Sequence, residues 1–560
     1  MRAVLKHVPR AAWLWGVPLV FLAVFFFLPL GAVFRLAVES WAGGMLFKWE
    51  RVLRPLGFTF WQAGLSTLLT LAVGLPAAYI FARFEFPGKR LLRVLTTLPF
   101  ILPTVVVAAS FNALLGPRGW LNLLLMNAFG LDTPPIQILN TLGAILLAHV
   151  FYNTTVVLRV VGSALVQLDP RLEQAARVLG ASPLRTLREV TLPLLKPALL
   201  SSALLVFLFD FTSFGVVLLL GGPRYATLEV EIYIQALQML NLPLAGLLSA
   251  VQLTCTLAIS VLNSRLGGRR AVPLAPRLRG EGTRPVKTWR ERLLVGGLVV
   301  LLAALLVSPL AALGLRSMTR LEAARGERSA VQSGLTLDYY RELFVNRRGS
   351  LFYVPPIEAA RNSLAYAGTT VLISLALGAL AASALASPSR ANRWLEPLLL
   401  LPLGASAVTL GLGFIVVFNK PPLDARSFPL LVPIAHSLVA LPFVVRTLAP
   451  AMASIPRSLK QAAAVLGASP LRAWLEVDLP IIARAALVSA VFSFTISLGE
   501  FGATSFLARP ETPTLPVAIY RFLSQPGGLN YGQAMAMATL LLVVCALGIL
   551  VIERLGGETI

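Results

Sequence analysis

The chain is 560 residues long, 57% hydrophobic and only 13% charged, with a mean hydropathy of +0.79. A soluble domain carries about 25% charged residues, so this composition excludes a water-soluble fold. A net charge of +23 raises nucleic-acid binding as an alternative. That class is excluded too, because Lys and Arg punctuate apolar segments instead of gathering on one amphipathic element.

Residues 11–38 form an apolar run behind Arg2, Lys6 and Arg10. The run is long for a signal peptide and lacks a small-residue cleavage site, so a retained first span is expected. Stretches of the roughly 20 apolar residues needed to cross a bilayer recur along the whole chain. Spans are predicted near 11–38, 58–82, 94–116, 136–162, 194–221 and 242–264. A second set lies near 291–315, 362–386, 394–418, 428–450, 481–507 and 530–553. The length and continuity of these runs call for helices instead of a barrel. The expectation is an all-α polytopic membrane protein with about 12 transmembrane helices in a lipid bilayer. Cys255 and Cys545 sit inside apolar runs and suggest neither a disulfide nor a metal site.

Orientation follows from the basic residues. The N-terminus, the loops Arg83 to Arg93 and Arg171 to Arg188, and the segment Arg265 to Arg292 fall on one side, as do Arg390, Arg393, Arg472 and Arg554. The positive-inside rule makes that side cytoplasmic, with both termini on it. Loops 316–361 and 508–529 then face outward; the first carries several arginines, but longer outer loops weigh less in this rule. Residues 266–290 are rich in Arg, Pro and Gly and lack apolar periodicity. They read as a cytoplasmic linker between a first half, 1–265, and a second, 291–560.

The two halves repeat. Leu172-Glu-Gln-Ala-Ala-Arg-Val-Leu-Gly-Ala-Ser-Pro-Leu-Arg185 recurs as Leu459-Lys-Gln-Ala-Ala-Ala-Val-Leu-Gly-Ala-Ser-Pro-Leu-Arg472, identical at twelve of fourteen positions with an offset of 287. The same offset pairs His149 with His436, Arg159 with Arg446, Leu192-Pro193 with Leu479-Pro480, and Phe214-Gly215 with Phe501-Gly502. It also pairs Thr227-Leu-Glu-Val-Glu-Ile-Tyr233 with Thr514-Leu-Pro-Val-Ala-Ile-Tyr520. Six helices per repeat is an even number, so both copies keep the same orientation: parallel repeats about an axis along the membrane normal, with a central pathway between them.

The repeated segment lies in the longest structured cytoplasmic loop of each half. Asp169-Pro170 is a helix-start signal, Gln174, Ala175, Ala176 and Leu179 follow at helical spacing, and Gly180 breaks the helix. Ser182-Pro183 starts a short second helix, with Ser as N-cap and Pro at the first position, and Leu192-Pro193 marks entry into the next span. Small residues on an exposed short helix let another protein approach its backbone closely.

Gln-Ala-Ala, three residues, Gly, nine residues, Val, one residue, Leu-Pro, at 174–193 and again at 461–480, resembles the signature of permease subunits of ATP-binding-cassette importers. The resemblance covers essentially the whole chain. It is most similar to the fused, double-length permeases of the ferric iron and thiamine import group, chiefly through Thr227 to Tyr233 and Ser497-Leu-Gly-Glu-Phe-Gly502. The resemblance implies a type I ABC importer permease fold in a bacterial inner membrane. It implies a dimer of ABC ATPase subunits on the cytoplasmic side and a solute-binding protein outside. It assigns Gln174, Ala175, Ala176 and Gly180, with Gln461, Ala462, Ala463 and Gly467, to two coupling segments seated on the ATPase. Both copies carry Gln where that motif usually begins with Glu; Glu173 stands one residue away in the first copy and Lys460 in the second. The chain has no Gly-x-x-x-x-Gly-Lys-Ser/Thr phosphate loop, so ATP hydrolysis is expected on a separate subunit, and no cofactor is expected here.

Ionisable groups inside spans are costly and mark functional candidates. Asp210, in the fifth span, and Glu500, in the eleventh, stand out. Asp210 aligns with Ser497, one helical turn before Glu500, so both can face one cavity from opposite halves. Contact with a cationic substrate or a gate competes here with a structural hydrogen bond between helices. Pro99, Pro103 and Pro402 interrupt the third and ninth spans; broken helices can line a transport site, and Pro is also ordinary in membrane helices. His149 and His436 read as packing or surface residues instead of metal ligands. Thr227 to Tyr233 either meets a delivering binding protein or tucks a short helix against the bundle. An ion-coupled secondary transporter would need no doubled docking segment, and no nucleophile–base constellation supports an enzyme.

Overall fold

In the computed structural model, residues 10–42, 49–222, 224–268, 283–320, 334–345, 354–386, 392–421, 423–424 and 428–556 are described. Most of the expected linker, 269–282, and parts of the expected outer loop 316–361 lie outside these residues. Among the described residues ten helices are long and apolar enough to cross a membrane, and two bent helix pairs, each counted as one span, bring the number to twelve. In hydrocarbon every backbone N–H and C=O must find a partner within the segment, which a helix supplies. Among the described residues the strands lie beyond span ends: Phe84-Glu85 pairs in parallel with Arg284-Pro285, and Thr319-Arg320 antiparallel with Gly334-Leu335.

The third and ninth spans are broken near the prolines that interrupt them in the sequence. Lys89–Ile101 meets Thr104–Phe129 at 114°, and Leu395–Gly404 meets Ala407–Val417 at 99°. The cause of the first break is local: Leu102 and Pro103 are both extended, the conformation that a residue before proline is driven into. At the second, a 3₁₀ turn holding Pro402 precedes extended Ala405, and Ser406 then accepts hydrogen bonds from Val408 N and Thr409 N to start the next helix. The fifth and eleventh spans also stop early, at Phe211 and Gly499, and resume as short helices Gly215–Leu220 and Gly502–Leu507.

Their other ends begin earlier than the Leu-Pro motifs suggest. Each helix runs continuously from the docking segment, Leu184–Phe211 and Leu471–Gly499. Pro193 and Pro480 lack an N–H and cannot complete the ordinary ladder. A π-helical turn, Leu187–Thr191 and Trp474–Asp478, absorbs each of them without a break.

The halves interlock. The first span packs on the helices Pro356–Leu385 and Ala407–Val417 of the second half, burying Leu22 and Phe26 beside Leu377, Leu410 and Phe414. Reciprocally, Trp289–Ser317 packs against Thr104–Leu115 of the first half. The fourth and tenth spans, Leu142–Gln167 and Leu431–Ala453, are the most enclosed.

Candidate functional site: two docking segments and a central cavity

Each docking segment is a short helix, a left-handed residue and a second helix. Asp169 Oδ1 caps the first copy by accepting from Arg171 N at 2.9 Å. The helix Pro170–Val178 ends before Gly180, whose φ of +87° a glycine adopts without steric cost. The second copy, Arg457–Val465, ends the same way before Gly467, φ +78°. Arg185 N and Arg472 N donate to Ser182 Oγ and Ser469 Oγ, both at 3.3 Å, so each serine caps the next helix as expected. Gln174, Ala175, Gln461 and Ala462 are exposed, Ala176 and Ala463 half-buried. At the tips, Val178 and Leu179 are 86% and 88% exposed, Val465 and Leu466 87% and 86%. Adjacent bare apolar side chains thus recur at the two tips, a pattern that fits contact with another protein.

Glu173 does not reach outward. It accepts from Arg83 Nη2 and from Thr191 Oγ1, each at 2.9 Å, and pins the first segment to the second and fifth spans. Its repeat position holds Lys460 and that of Thr191 holds Asp478, so the second copy lacks this clamp's residues. Glu173→Gln is therefore expected to raise amide exchange of residues 171–178 about tenfold, the equivalent of roughly 1.4 kcal/mol and within the range for a hydrogen bond to a charged group. Unchanged exchange by mass spectrometry would remove the clamp.

Between the halves lies a cavity of about 390 Å³. It is bordered by both span breaks, Leu102 to Thr104 and Ser406 to Val408, and by Asp210 and Glu500, which the fold brings to one place. Their surroundings differ. Glu500 is consumed internally: its carboxylate accepts from Ala503 N at 2.8 Å, Thr504 N at 2.9 Å and Thr504 Oγ1 at 2.6 Å, and His436 Nε2 lies 3.2 Å away. It starts the short helix that follows the break. Asp210, 1% exposed, accepts from Asn153 Nδ2 at 2.7 Å on Oδ1, with His149 Nδ1 at 3.3 Å, while Oδ2 has no partner.

The two histidines are thus each the neighbour of one carboxylate. His149 lies between Asp210 with Ser66 on one ring nitrogen and Ser213 on the other. His436 lies between Ser497 on Nδ1 and Glu500 with Thr504 on Nε2. Asp210/Ser213 and Ser497/Glu500 occupy matching repeat positions with acid and hydroxyl exchanged. The sequence carried the signal, in two aligned histidines and a swapped acid–serine pair. Its meaning required the distances.

Glu229 escaped sequence reasoning. It is buried, borders the cavity, accepts from Ser406 Oγ at 2.7 Å across the two halves and is also bonded by Gln252. Its segment, Thr227 to Tyr233, is tucked into the bundle: Leu228 N donates to Thr59 Oγ1 at 2.9 Å, and in the second copy Leu515 N donates to Ser363 Oγ at 2.8 Å. Among the described residues no cluster of three or more His, Cys, Asp or Glu could hold a metal ion.

The doubled docking segment, the parallel repeat and a cavity between the halves define a transporter permease. The profile of the binding-protein-dependent transport system inner membrane component family matches residues 71–267 and 374–555, one copy in each half, and the chain belongs to this family. It is a multi-pass permease of an ATP-driven ABC importer, and not an ion-coupled secondary transporter. The chain is similar to the thiamine transport system permease protein ThiP of Escherichia coli (strain K12), 28% identical over 90% of this chain and 89% of that one. It is also similar to ThiP of Brucella abortus (strain 2308), 29% identical over 97% and 95%. A solved bacterial alginate ABC transporter in complex with an alginate pentasaccharide-bound periplasmic protein matches 47% of this chain and 97% of that chain, at 21% identity and a TM-score of 0.40.

Proposed function

We propose that this permease moves thiamine inward, fed by a solute-binding protein on one face and driven on the other by an ATPase dimer that grips both docking segments. The observation that carries the substrate is the similarity to ThiP proteins along nearly the full length of both chains. The cavity is compatible with it. Thiamine is a flat organic cation, and the lining combines aromatic rings with Asp210, Glu229 and Glu500. Ferric iron, the other cargo suggested by the fused architecture, has less support: the lining lacks a cluster fit to hold a metal among the described residues.

In this reading Gln174, Ala175, Ala176, Gly180 and their repeat partners Gln461, Ala462, Ala463 and Gly467 transmit ATPase closure to the fifth and eleventh spans. The second helix of each docking segment continues into its span, so a displacement of the segment is passed on to the cavity wall. Both termini and the linker 266–290 lie on the ATPase side, between halves 1–265 and 291–560. The test is uptake of radiolabelled thiamine by proteoliposomes holding this chain with its co-purifying ATPase and binding protein. ATP-dependent accumulation at micromolar thiamine is expected; accumulation of ferric iron instead would overturn the thiamine assignment.

A further inference from the structure

Phe214 and Phe501 are repeat partners, and so are Tyr233 and Tyr520. Their rings form one row across the seam between the halves. Phe214 and Phe501 are stacked, with centroids 5.4 Å apart and planes 21° from parallel. Tyr233 backs Phe214 at 5.3 Å, and Tyr520 backs Phe501 at 5.5 Å. The residue after each phenylalanine is glycine for want of space. A Cβ on Gly215 would lie 3.3 Å from Phe501 Cδ1, and one on Gly502 would lie 2.9 Å from Ala407 Cβ.

Phe214 and Phe501 both border the cavity, and the eleventh-span residues that also border it, Phe492, Thr495 and Ile496, precede Phe501 on the helix rising from the second docking segment. Along that helix the cavity runs from the stack toward the docking segment. The chemistry of the stack is also particular. Ring faces carry the negative end of the aromatic quadrupole, and they attract cations most strongly where water is excluded. Asp210 lies four residues before Phe214, and Glu500 immediately precedes Phe501. When the stack parts, it presents two facing rings flanked by acidic groups.

We propose that the Phe214–Phe501 stack is a cargo-reading gate: it seals the cavity on the side away from the docking segments and opens around a flat aromatic cation, which replaces the ring–ring contact between the two faces. The cargo class rests on the thiamine reading above, thiamine's thiazolium being such a ring; the sealing role does not.

The test uses the complete importer in proteoliposomes. In a chain with Cys255 and Cys545 replaced by alanine, Phe214→Cys and Phe501→Cys are bridged by a short bis-methanethiosulfonate reagent. Thiamine uptake is expected to fall at least tenfold and to return on reduction; bridged importers that transport at the unbridged rate overturn the gate. Separately, Phe214→Leu with Phe501→Leu keeps apolar bulk but removes the ring faces, and Phe214→Tyr with Phe501→Tyr keeps them. The KM for thiamine is expected to rise at least fivefold more than the maximal rate falls in the leucine pair, and to stay within twofold in the tyrosine pair. Equal KM values in the two pairs overturn the reading of cargo by the rings. If the wild-type importer takes up no thiamine, that assignment fails by itself. The gate is then judged by whether bridging blocks stimulation of the ATPase by the loaded binding protein; block reversed by reduction supports it, and undiminished stimulation overturns it.

Discussion

Replacing both Gly180 and Gly467 with valine is expected to lower ATP-driven uptake more than tenfold while the chain still inserts into the membrane. Neither glycine would give a new Cβ anything to strike within 4 Å, so the cost is confined to the backbone. Both residues are left-handed, at φ +87° and +78°, and an L-residue there costs roughly 1–2 kcal/mol, most for a β-branched one. The helix ends depend on the same turn, since Gly180 N donates to Arg177 O and Ala181 N to Ala176 O, with Gly467 N and Ala468 N repeating the pattern. A segment that relaxes out of this turn moves the bare Val-Leu tip away from its partner. Two such shifts of about 1–2 kcal/mol each together exceed the 1.4 kcal/mol that is a factor of ten, so the loss is more than tenfold. Asparagine, which tolerates the left-handed region, should restore most of the activity. ATPase assays with and without the loaded binding protein would locate the defect: full stimulation in the valine pair would free these glycines of any coupling role.

The second large effect separates the two acidic candidates. Glu500→Ala is expected to reduce the yield of folded, detergent-stable protein severely. It orphans the N–H groups of Ala503 and Thr504 and leaves His436 without its acid, all in the interior. Each buried unsatisfied group costs about 1–3 kcal/mol, so a total of roughly 3–5 kcal/mol is expected, in the range for breaking a buried ionic partnership. Asp210→Asn is isosteric and keeps the acceptor that Asn153 uses. It should change stability by about 1 kcal/mol or less, yet lower uptake of a cation about tenfold by removing the carboxyl group from the cavity wall. Thermal-shift curves alongside uptake rates check both. A stable Glu500→Ala protein, or an Asp210→Asn protein with normal uptake, would contradict the division of labour between the two acids.

Much of this was legible because membrane helices and exposed caps are local affairs. The repeated docking segment could be read to its Asp169 cap, its Gly180 turn and its Ser182 restart, since each depends on a few consecutive residues. The same locality misled at Leu192-Pro193. The motif looks like a span entrance, but the helix had already begun at Pro183 and a π turn carries it past the proline. The fractured third and ninth spans were signalled by their prolines, whereas the bend angles of 114° and 99° were not.

The sequence by itself determined that the chain lives in a bilayer, that it is doubled, and that it carries two matched, capped segments between spans. Apolar run length, repeat offset and cap chemistry are properties of the chain read in order. Only the tertiary structure decided what the buried polar and aromatic residues do. Asp210 and Glu500 look alike in the sequence, but partners 57 residues away in one case and 3 to 4 in the other leave one oxygen unclaimed and the other acid spent on a helix start. Glu229 finds Ser406 across 177 residues, and Phe214 finds Phe501 only where the two halves close on each other. Inside a membrane a polar group must take whatever partner the fold brings to it, and that choice is made in space, not along the chain.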